Sequence, residues 1–383
     1  MKIKLVAIAK DEAAYLPEWI FHHLYFGFDE IEIYLNFITD NSAETLEKIT
    51  NTCPVKFKYG EYLIDPGYSD NDFILDNGYL NANTLQSRAY AESFLNAKKN
   101  GFSHIMFLDI DEFWMPACFS KNIKDVLIAL DDPCVTAFIW ANKVGEHEEF
   151  GRPFTKETKC HFTKMQKSAV KTGDEIKIMT SHHSTCKQRH KHKLIKTGEI
   201  SDAYILHRFQ RSIIEYTSLL GRGDPRFAGK FSLKFTRRGY ISDENATVLT
   251  IDPEALNKYD NGYKEFIASN CLEEELVKAK QFVLDRAAYV TEFIRDNAKT
   301  NKLIKKIVTG LKLDDDIAAD LGLRGLSMDE IEILKHMAVE LEKEGDIEKA
   351  YQLMKIVFAF RSHGRFVGRK FEQYTKLTNR QPQ

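Results

Sequence analysis

Across about the first 60 residues, short apolar runs alternate with stretches of helical period. Lys2 to Ala9 is rich in β-branched residues and predicts a buried strand, closed by the charged triplet Lys10, Asp11 and Glu12. Leu16, Trp19, Ile20, His23 and Leu24 then recur at helical spacing. Pro17 falls in the first turn, where its missing N–H is harmless, and Gly27 ends the pattern. Glu30 to Phe37 predicts a second strand, Glu44 to Ile49 a second helix capped by Asn41 or Ser42, and Val55 to Tyr59 a third strand. Strand–helix–strand–helix–strand implies a parallel, doubly wound α/β sheet with helices on both faces. Ligands of such sheets bind beyond the carboxyl ends of the strands. Lys10 to Glu12 and Asn36 to Asn41 fall there.

Asp65 to Asn83 is rich in Gly, Asp and Asn and predicts a long loop; Thr84 to Lys98 predicts an amphipathic helix with Leu85, Ala89, Phe94 and Leu95 on its apolar face. Through Gly101 it leads into HIMFLDIDEFWMP, His104 to Pro116. Here an apolar run, Ile105 to Leu108, ends in Asp109, Asp111 and Glu112. On an extended strand Asp109 and Asp111 would project to one side. Like charges held that close repel unless a cation lies between them. Hard divalent cations favour such oxygen ligands and share them with phosphates. The pattern therefore points to a Mg²⁺ or Mn²⁺ site holding a nucleoside diphosphate; its plain alternative is a turn with solvated acids.

Val135 to Trp140 predicts a strand and Gly145 to Phe154 a polar loop. Lys156 to Lys196 is locally basic and contains Cys160, His161, His182, His183, Cys186, His190 and His192. His183 and Cys186 have zinc-like spacing, but the other pairs fit no zinc pattern. The segment reads as a solvated basic face, or one attracted to phosphates or an anionic membrane surface. Ala203 to Phe209 predicts a strand carrying His207, Arg211 to Leu220 a helix, and residues 226–270 are weakly patterned. From Leu272 the chain is helical in pattern: Glu273 to Asn297, then Leu303 to Leu321 broken by Gly310. A hairpin opened by the capping box Ser327 to Glu330 turns at Gly345 into Ile347 to Phe360, and residues 376–383 read as a loose tail. The hairpin is tetratricopeptide-like but unrepeated. These divisions imply a catalytic domain over 1–225, an extension with a long helix over 226–300 and a helical region over 301–383.

Composition narrows the class. The chain has 383 residues, 43% hydrophobic and 29% charged, with a formal net charge of −2, so no global charge favours nucleic acid. Six scattered cysteines without a CxxC pair suggest reduced thiols. No run approaches the ~20 apolar residues that span a bilayer, and MKIKLVAIAKDE reads as a first strand rather than a secretory signal. Together these predict a cytoplasmic enzyme.

Taken in order, these motifs resemble the GT-A glycosyltransferases, most closely the family-92 group and the bacterial family-2-like enzymes related to it. Lys10, Asp11, Glu12, Glu18, Trp19, His22 or His23 and Gly27 stand where that family has a strand ending in Lys-Asn-Glu and a helix with Glu-Trp and His before a Gly. Gln86 matches a Gln upstream of the metal motif, and FLDIDEFWMP matches Asp-x-Asp-Glu-Phe. Lys167-Ser168 with His182 or His183 matches a Lys-Ser…His segment. His207, Arg211, Ser212, Arg222 and Gly223 match His-Tyr…Arg-Ser…Arg-Gly, and the C-terminal hairpin is similar to the helical tail of bacterial members. The match departs after the second strand. There Asp40-Asn41-Ser42-Ala43-Glu44 follows Asn36 in place of the family's Asp-Asn-x-Ser-x-Asp.

The resemblance implies a GT-A fold, a Rossmann-like and mostly parallel sheet with helices on both faces, followed by an all-α C-terminal region. It implies a metal-dependent, inverting glycosyltransferase using a UDP-sugar, galactose foremost, and Mn²⁺ or Mg²⁺. Asp111 and His207 would bind the metal, with His183 the alternative to His207, and Asp109 would join through water or hold the ribose. Lys10, Asp11, Glu12, Asn36 and Gln86 would line the nucleotide pocket; Lys167, Arg211 and Arg222 would meet phosphates. Glu146, Glu148 and Asp224 are the candidates for the base, and Glu112 would orient the acceptor or the metal shell. The acceptor would be a glycan or glycolipid, in lipopolysaccharide or capsule synthesis at the inner membrane face. Two rival readings stand beside this one, a metal-dependent nucleotidyl- or phosphotransferase and a non-catalytic scaffold that uses the helical hairpin.

Overall fold

The computed structural model describes the chain apart from residues 65–84, 146, 175, 181, 183, 188–191, 196–202, 224–232, 235–236, 238, 240–242, 298–303, 305–307, 309–327, 362–364 and 379–383. It divides into two compact units, Met1–Lys234 with Ile241–Ala288, and Phe235–Tyr240 with Tyr289–Gln383. The expected loop Asp65 to Asn83 and nearly all of the expected helix Leu303 to Leu321 lie outside the described residues, as does Ser327 of the capping box.

The first unit is built on a mixed sheet. β1 (Ile3–Ala9), β2 (Glu30–Leu35), β3 (Val55–Tyr59) and β4 (His104–Phe107) run parallel in the order β3-β2-β1-β4. α1 (Leu16–Tyr25) and α2 (Ser42–Thr50) are the crossovers, α3 (Leu85–Lys99) leads into β4, and α4 (Ile123–Ala129) comes later in the chain. This is the doubly wound half that the periodicity predicts. Beyond β4 the sheet is no longer mostly parallel. β7 (Glu157–Lys171) lies antiparallel to both β4 and β6 (Val135–Lys143). β11 (Ala203–His207) runs parallel to β6, and β5 (Glu112–Pro116) closes the path antiparallel to β11. β8 (Ile176–Met179) and β9 (Ser184–Cys186) form a separate ribbon, while β10 (His192–Ile195) and β12 (Thr247–Thr250) pair with β6 and β7. The β4–β5 link, residues 108–111, is too short for the crossover a parallel neighbour needs.

Alternation along β1 and β4 feeds two cores. Ile3, Leu5, Ala7, Met106 and Leu108 join Trp19 and Leu46 on one face; Val6, Ile105 and Phe107 join Ala89, Tyr90 and Phe94 of α3 on the other. The segment expected to be a solvated basic face supplies β7 instead. Its Thr158 and Cys160 are buried between exposed Glu157 and Lys159, and Ser168, Ala169 and Val170 are buried. The weakly patterned stretch 226–270 contains α6 (Pro253–Ser269), started by Asp252, whose carboxylate accepts from Ala255 N, and by Pro253 in the first turn. α5 (Ile213–Leu220) opens with a capping box between Ser212 and Glu215, and α7 (Glu273–Asn297) has the predicted bounds.

The second unit includes α8 (Met328–Lys343), α9 (Ile347–Arg361) and α10 (Arg365–Leu377). α8 and α9 form the expected hairpin, turning at Gly345 in the left-handed region (φ 85). α10 overruns the start of the expected loose tail and packs Val367 and Tyr374 with Ala338, Ala350, Met354 and Val357. Among the described residues no helix is long and apolar enough to cross a membrane.

Candidate active site

The acidic residues do not continue a strand. β4 stops at Phe107, and Leu108 to Asp111 turn the chain into β5. The expectation that Asp109 and Asp111 share one side of an extended strand is thereby corrected: a turn, not a pleat, sets their directions. α1 holds that turn. Trp19 Nε1 donates to the carbonyls of both Asp109 (3.1 Å) and Glu112 (2.8 Å). Within the turn, Asp109 N donates to Glu112 Oε2 (2.9 Å) and Glu112 N to Asp109 O (3.0 Å).

The next turn of α1 clamps β5. His22 Nε2 donates to Trp114 O (2.8 Å) and Tyr259 Oη meets His22 Nδ1 (3.1 Å). His23 Nδ1 donates to Trp19 O (2.7 Å), leaving Nε2 to accept from Trp114 N (3.3 Å). Both rings are buried and neutral. Burial pushes the His22 pKa down to about 3, and burial with the neighbouring His22 pushes His23 well below its ordinary value.

One lysine faces two of the carboxylates. Lys167 Nζ lies 3.1 Å from Asp109 Oδ2 and 3.0 Å from Glu112 Oε2, and is almost fully buried. Burial alone would lower its pKa, but Asp109 and Glu112 raise it, so it stays charged. Burial drives the fully enclosed Glu112 well upward, against the pull of Lys167. Glu112 thus braces the turn and Lys167; the expected role was to orient the acceptor or the metal shell. Lys167 is likewise engaged by carboxylates, so its first partners are Asp109 and Glu112.

His207 ends β11 opposite Asn142 of β6. Asn142 Oδ1 lies 3.0 Å from His207 Nδ1 and can only accept, so Nδ1 carries the proton. The other nitrogen, Nε2, faces Asp111 Oδ2 at 3.7 Å. That gap is too long for a hydrogen bond. It fits two donor atoms on one cation, since two bonds of about 2.1 Å span up to about 4.2 Å. The Asn142 contact is the outer-shell arrangement that orients ligating histidines. Among the described residues no three His, Cys, Asp or Glu side chains converge into a complete metal shell. The chain can thus offer Asp111 and His207, with Asp109 nearby. A Mg²⁺- or Mn²⁺-type shell would be completed by water and phosphate oxygens.

A second cluster abuts the first. Glu12, buried, receives Arg211 Nη2 at 3.0 Å and also pairs with Arg222, which further donates to Lys10 O (3.3 Å). Burial raises the Glu12 pKa, but Arg211 and Arg222 outweigh it and hold the carboxyl below its usual range. Arg211 also stacks on Tyr15, 3.5 Å from the ring centre. Asp11, in the left-handed region (φ 51), accepts from Thr39 N (2.7 Å) and Arg286 Nη1 (2.9 Å). Glu12 and Asp11 therefore anchor arginines and loops. Asn36 is buried at the end of β2, its N–H bonded to Ala9 O (2.9 Å). Gln86 donates to Tyr90 Oη (3.0 Å), and Tyr90 stacks on Phe107.

Of the expected bases, only Glu148 lies among the described residues. Glu148 is exposed, and its side chain makes no hydrogen bond or ion pair among the described residues; Glu146, Asp224 and His183 lie outside them. Sequence reading singled out neither Asn142 nor Tyr15, and assigned Trp19 and His22 no task. Only the Glu-Trp…His pattern on α1 pointed toward the last two.

No family model matches the chain, and no curated protein does. Among solved structures, S. aureus TarS residues 1–349 is similar at 12% identity over 100% of this chain and 93% of that one, with a TM-score of 0.26. The mannosyltransferase PcManGT from Pyrobaculum calidifontis, in complex with GDP-Man and Mn²⁺, is 11% identical over 84% of this chain and 83% of its own, with a TM-score of 0.28. HddC from Yersinia pseudotuberculosis is 12% identical over 70% and 100%, with a TM-score of 0.23. Likenesses at these scores carry no weight for activity.

Proposed function

We propose that this chain is a metal-assisted, inverting glycosyltransferase. It moves a hexosyl group, galactose foremost, from a UDP-sugar to a glycan or glycolipid hydroxyl. The setting we infer is bacterial lipopolysaccharide or capsule synthesis, by a cytoplasmic enzyme reaching the inner membrane face. One observation carries the reading. The turn that holds Asp109 and Asp111 faces Asp111 Oδ2 toward His207 Nε2 at 3.7 Å, at the carboxyl end of β4 and next to the paired Arg211 and Arg222.

Asp111 and His207 are the residues that would hold Mn²⁺ or Mg²⁺, which supplies Lewis acidity toward the departing diphosphate. Asp109, steadied by Lys167, would contact the shell through water or hold the ribose. Arg211 and Arg222, aligned by Glu12, are the charge-assisted donors for phosphate oxygens. Lys10, Asn36, Asp11 and Gln86 border the nucleotide, Asp11 and Gln86 through the loops and ring they fix. A general base takes the acceptor hydroxyl proton as that oxygen attacks the anomeric carbon from the face opposite the diphosphate. Glu148 is the candidate among the described residues, with Glu146 and Asp224 beyond them.

A thermal-shift screen of UDP- and GDP-sugars with Mn²⁺ tests this. A true donor at 100 times its dissociation constant adds about 2.7 kcal/mol of stability. Asp111→Asn should abolish that gain and the acceptor-dependent release of nucleoside diphosphate. Pyrophosphate release from a nucleoside triphosphate, without diphosphate release from any sugar donor, would move the chain to nucleotidyl transfer.

A further inference from the structure

Trp140 and His182 lie beside the acidic turn and have no role in the scheme above. Of the three tryptophans, Trp19 and Trp114 are fully buried, whereas Trp140 is partly exposed. It sits at a register shift between β6 and β7, between Ile139 and Ala141. Such bulges re-aim a side chain and are common next to functional sites. The Trp140 ring lies 4.2 Å from that of His207, tilted by 45°, and 5.3 Å from that of His182, nearly perpendicular at 82°. His182 is also partly exposed and lies within electrostatic range of Lys167, Asp109 and His207. Around the turn the side chains thus run from Asp109 to Lys167, past His182 to Trp140, and on through His207 to Asp111.

Polar contacts do not lock this wall. Among the described residues, neither Trp140 Nε1 nor His182 Nδ1 has a hydrogen-bond partner. Trp19, by contrast, is fixed by two carbonyls. A buried N–H left unsatisfied is unfavourable unless something completes it. Trp114 Nε1 is also without a partner among the described residues, but that ring is fully enclosed in the core, whereas Trp140 is partly exposed beside the site, so its position and exposure set it apart.

We propose that Trp140 and His182 form the wall on which the transferred sugar lies, and that the sugar is a hexopyranosyl group with one apolar C–H face. This rests on the glycosyl-transfer reading. The aromatic rings take the C–H face by dispersion and their positive–negative charge pattern. The two unpaired ring nitrogens serve the hydroxyl rim once the rings adjust. Position decides between sugar and diphosphate: the cationic Arg211 and Arg222 are on the Glu12 side, whereas this wall is aromatic and lies against His207.

Isothermal titration with Mn²⁺ tests it. UDP is compared with UDP-galactose, UDP-glucose and UDP-N-acetylglucosamine, and GDP with GDP-mannose. The proteins are the wild type, Trp140→Phe, Trp140→Leu and His182→Ala. For the sugar that the wild type binds best, Trp140→Leu and His182→Ala each weaken binding about tenfold and Trp140→Phe by less, while the bare diphosphate stays within about twofold. Equal losses for sugar and bare diphosphate, or no loss in any variant, overturn the inference and leave the glycosyl-transfer reading standing. If the wild type binds none of these compounds in a manner lost in Asp111→Asn, both fall. Trp140→Phe keeps a ring of similar shape, so its result does not depend on the larger truncation folding.

Discussion

Acidification from pH 7.5 to 5.0 should weaken the first unit by about 2 kcal/mol through His22 alone. His22 is fully enclosed, its Nε2 on Trp114 O and its Nδ1 on Tyr259 Oη, and burial lowers its pKa from 6.5 to about 3. A histidine depressed in the fold favours the neutral ring there. Its contribution is therefore intact above pH 6.5 and is lost as pH falls from 6.5 toward 3, because the unfolded chain takes the proton first. At pH 5.0 the unfolded histidine is about 1.5 units below its pKa and the folded one still about 2 units above its own, and at about 1.36 kcal/mol per unit this gives about 2 kcal/mol. His23, also depressed by burial, adds in the same direction. The assay is urea unfolding followed by tryptophan fluorescence. Trp19, Trp114 and Trp140 all belong to the first unit, so the signal excludes the helical one. His22→Gln keeps a donor for Trp114 O and cannot titrate. The wild-type stability relative to this variant should fall by about 2 kcal/mol between the two pH values, other groups cancelling. Parallel pH slopes for the two proteins would refute the reasoning.

Three further outcomes follow from the site. Lys167→Met leaves Asp109 and Glu112 facing each other without a cation and should destabilise by about 3–5 kcal/mol, with Lys167→Met/Glu112→Gln recovering part of it in a double-mutant cycle of chemical unfolding. Strict additivity in that cycle would remove the brace assigned to Glu112. Asn142→Ala should cost about 10–100-fold in Mn²⁺ affinity by titration, with melting shifted by only a few degrees, because it unties His207 Nδ1 without removing a ligand. Trp19→Phe should lose about 1–3 kcal/mol, since the buried Glu112 carbonyl loses the indole donor and Asp109 O keeps only Glu112 N, and should weaken Mn²⁺-dependent nucleotide binding as the turn loosens. Unchanged binding in a folded Trp19→Phe protein would detach the turn's shape from its function.

The parallel half of the sheet was legible because its signals are local. β3 and α7 have their predicted bounds, and β1 and α1 differ by a residue or so, since each is closed by its own punctuation: charges after Ala9, Gly27 after Tyr25. The antiparallel half depends on partners far away in the chain. β5 exists as a strand because Ala203 comes to lie opposite Pro116, and β7 is central because β4 and β6 both pair with it. Lys-rich alternation along β7 reads as a solvated face when neither neighbour is known. α6 had a usable start in Asp252 and Pro253, but no apolar stripe strong enough to carry the reading onward.

The site divides along the same line. Under the proposed function, metal chemistry restricts residue type, so Asp109 and Asp111 stand out along the chain, whereas His207, Arg211 and Arg222 are singled out only by the family resemblance. Aiming them takes residues that any core could contain. Trp19 looks like a packing residue until its N–H is found on two carbonyls of the turn, and Asn142 becomes an orienting group only through the parallel register that sets it opposite His207. Glu112 shows the converse. It has the residue type of a catalytic acid, yet full burial and the Lys167 contact make it a brace. Residue type therefore shows neither the brace at Glu112 nor the geometry at Trp19 and Asn142. Trp19→Phe and Asn142→Ala leave every candidate ligand in place, so a loss of Mn²⁺-dependent binding in either would locate the function in the arrangement rather than in the acids alone.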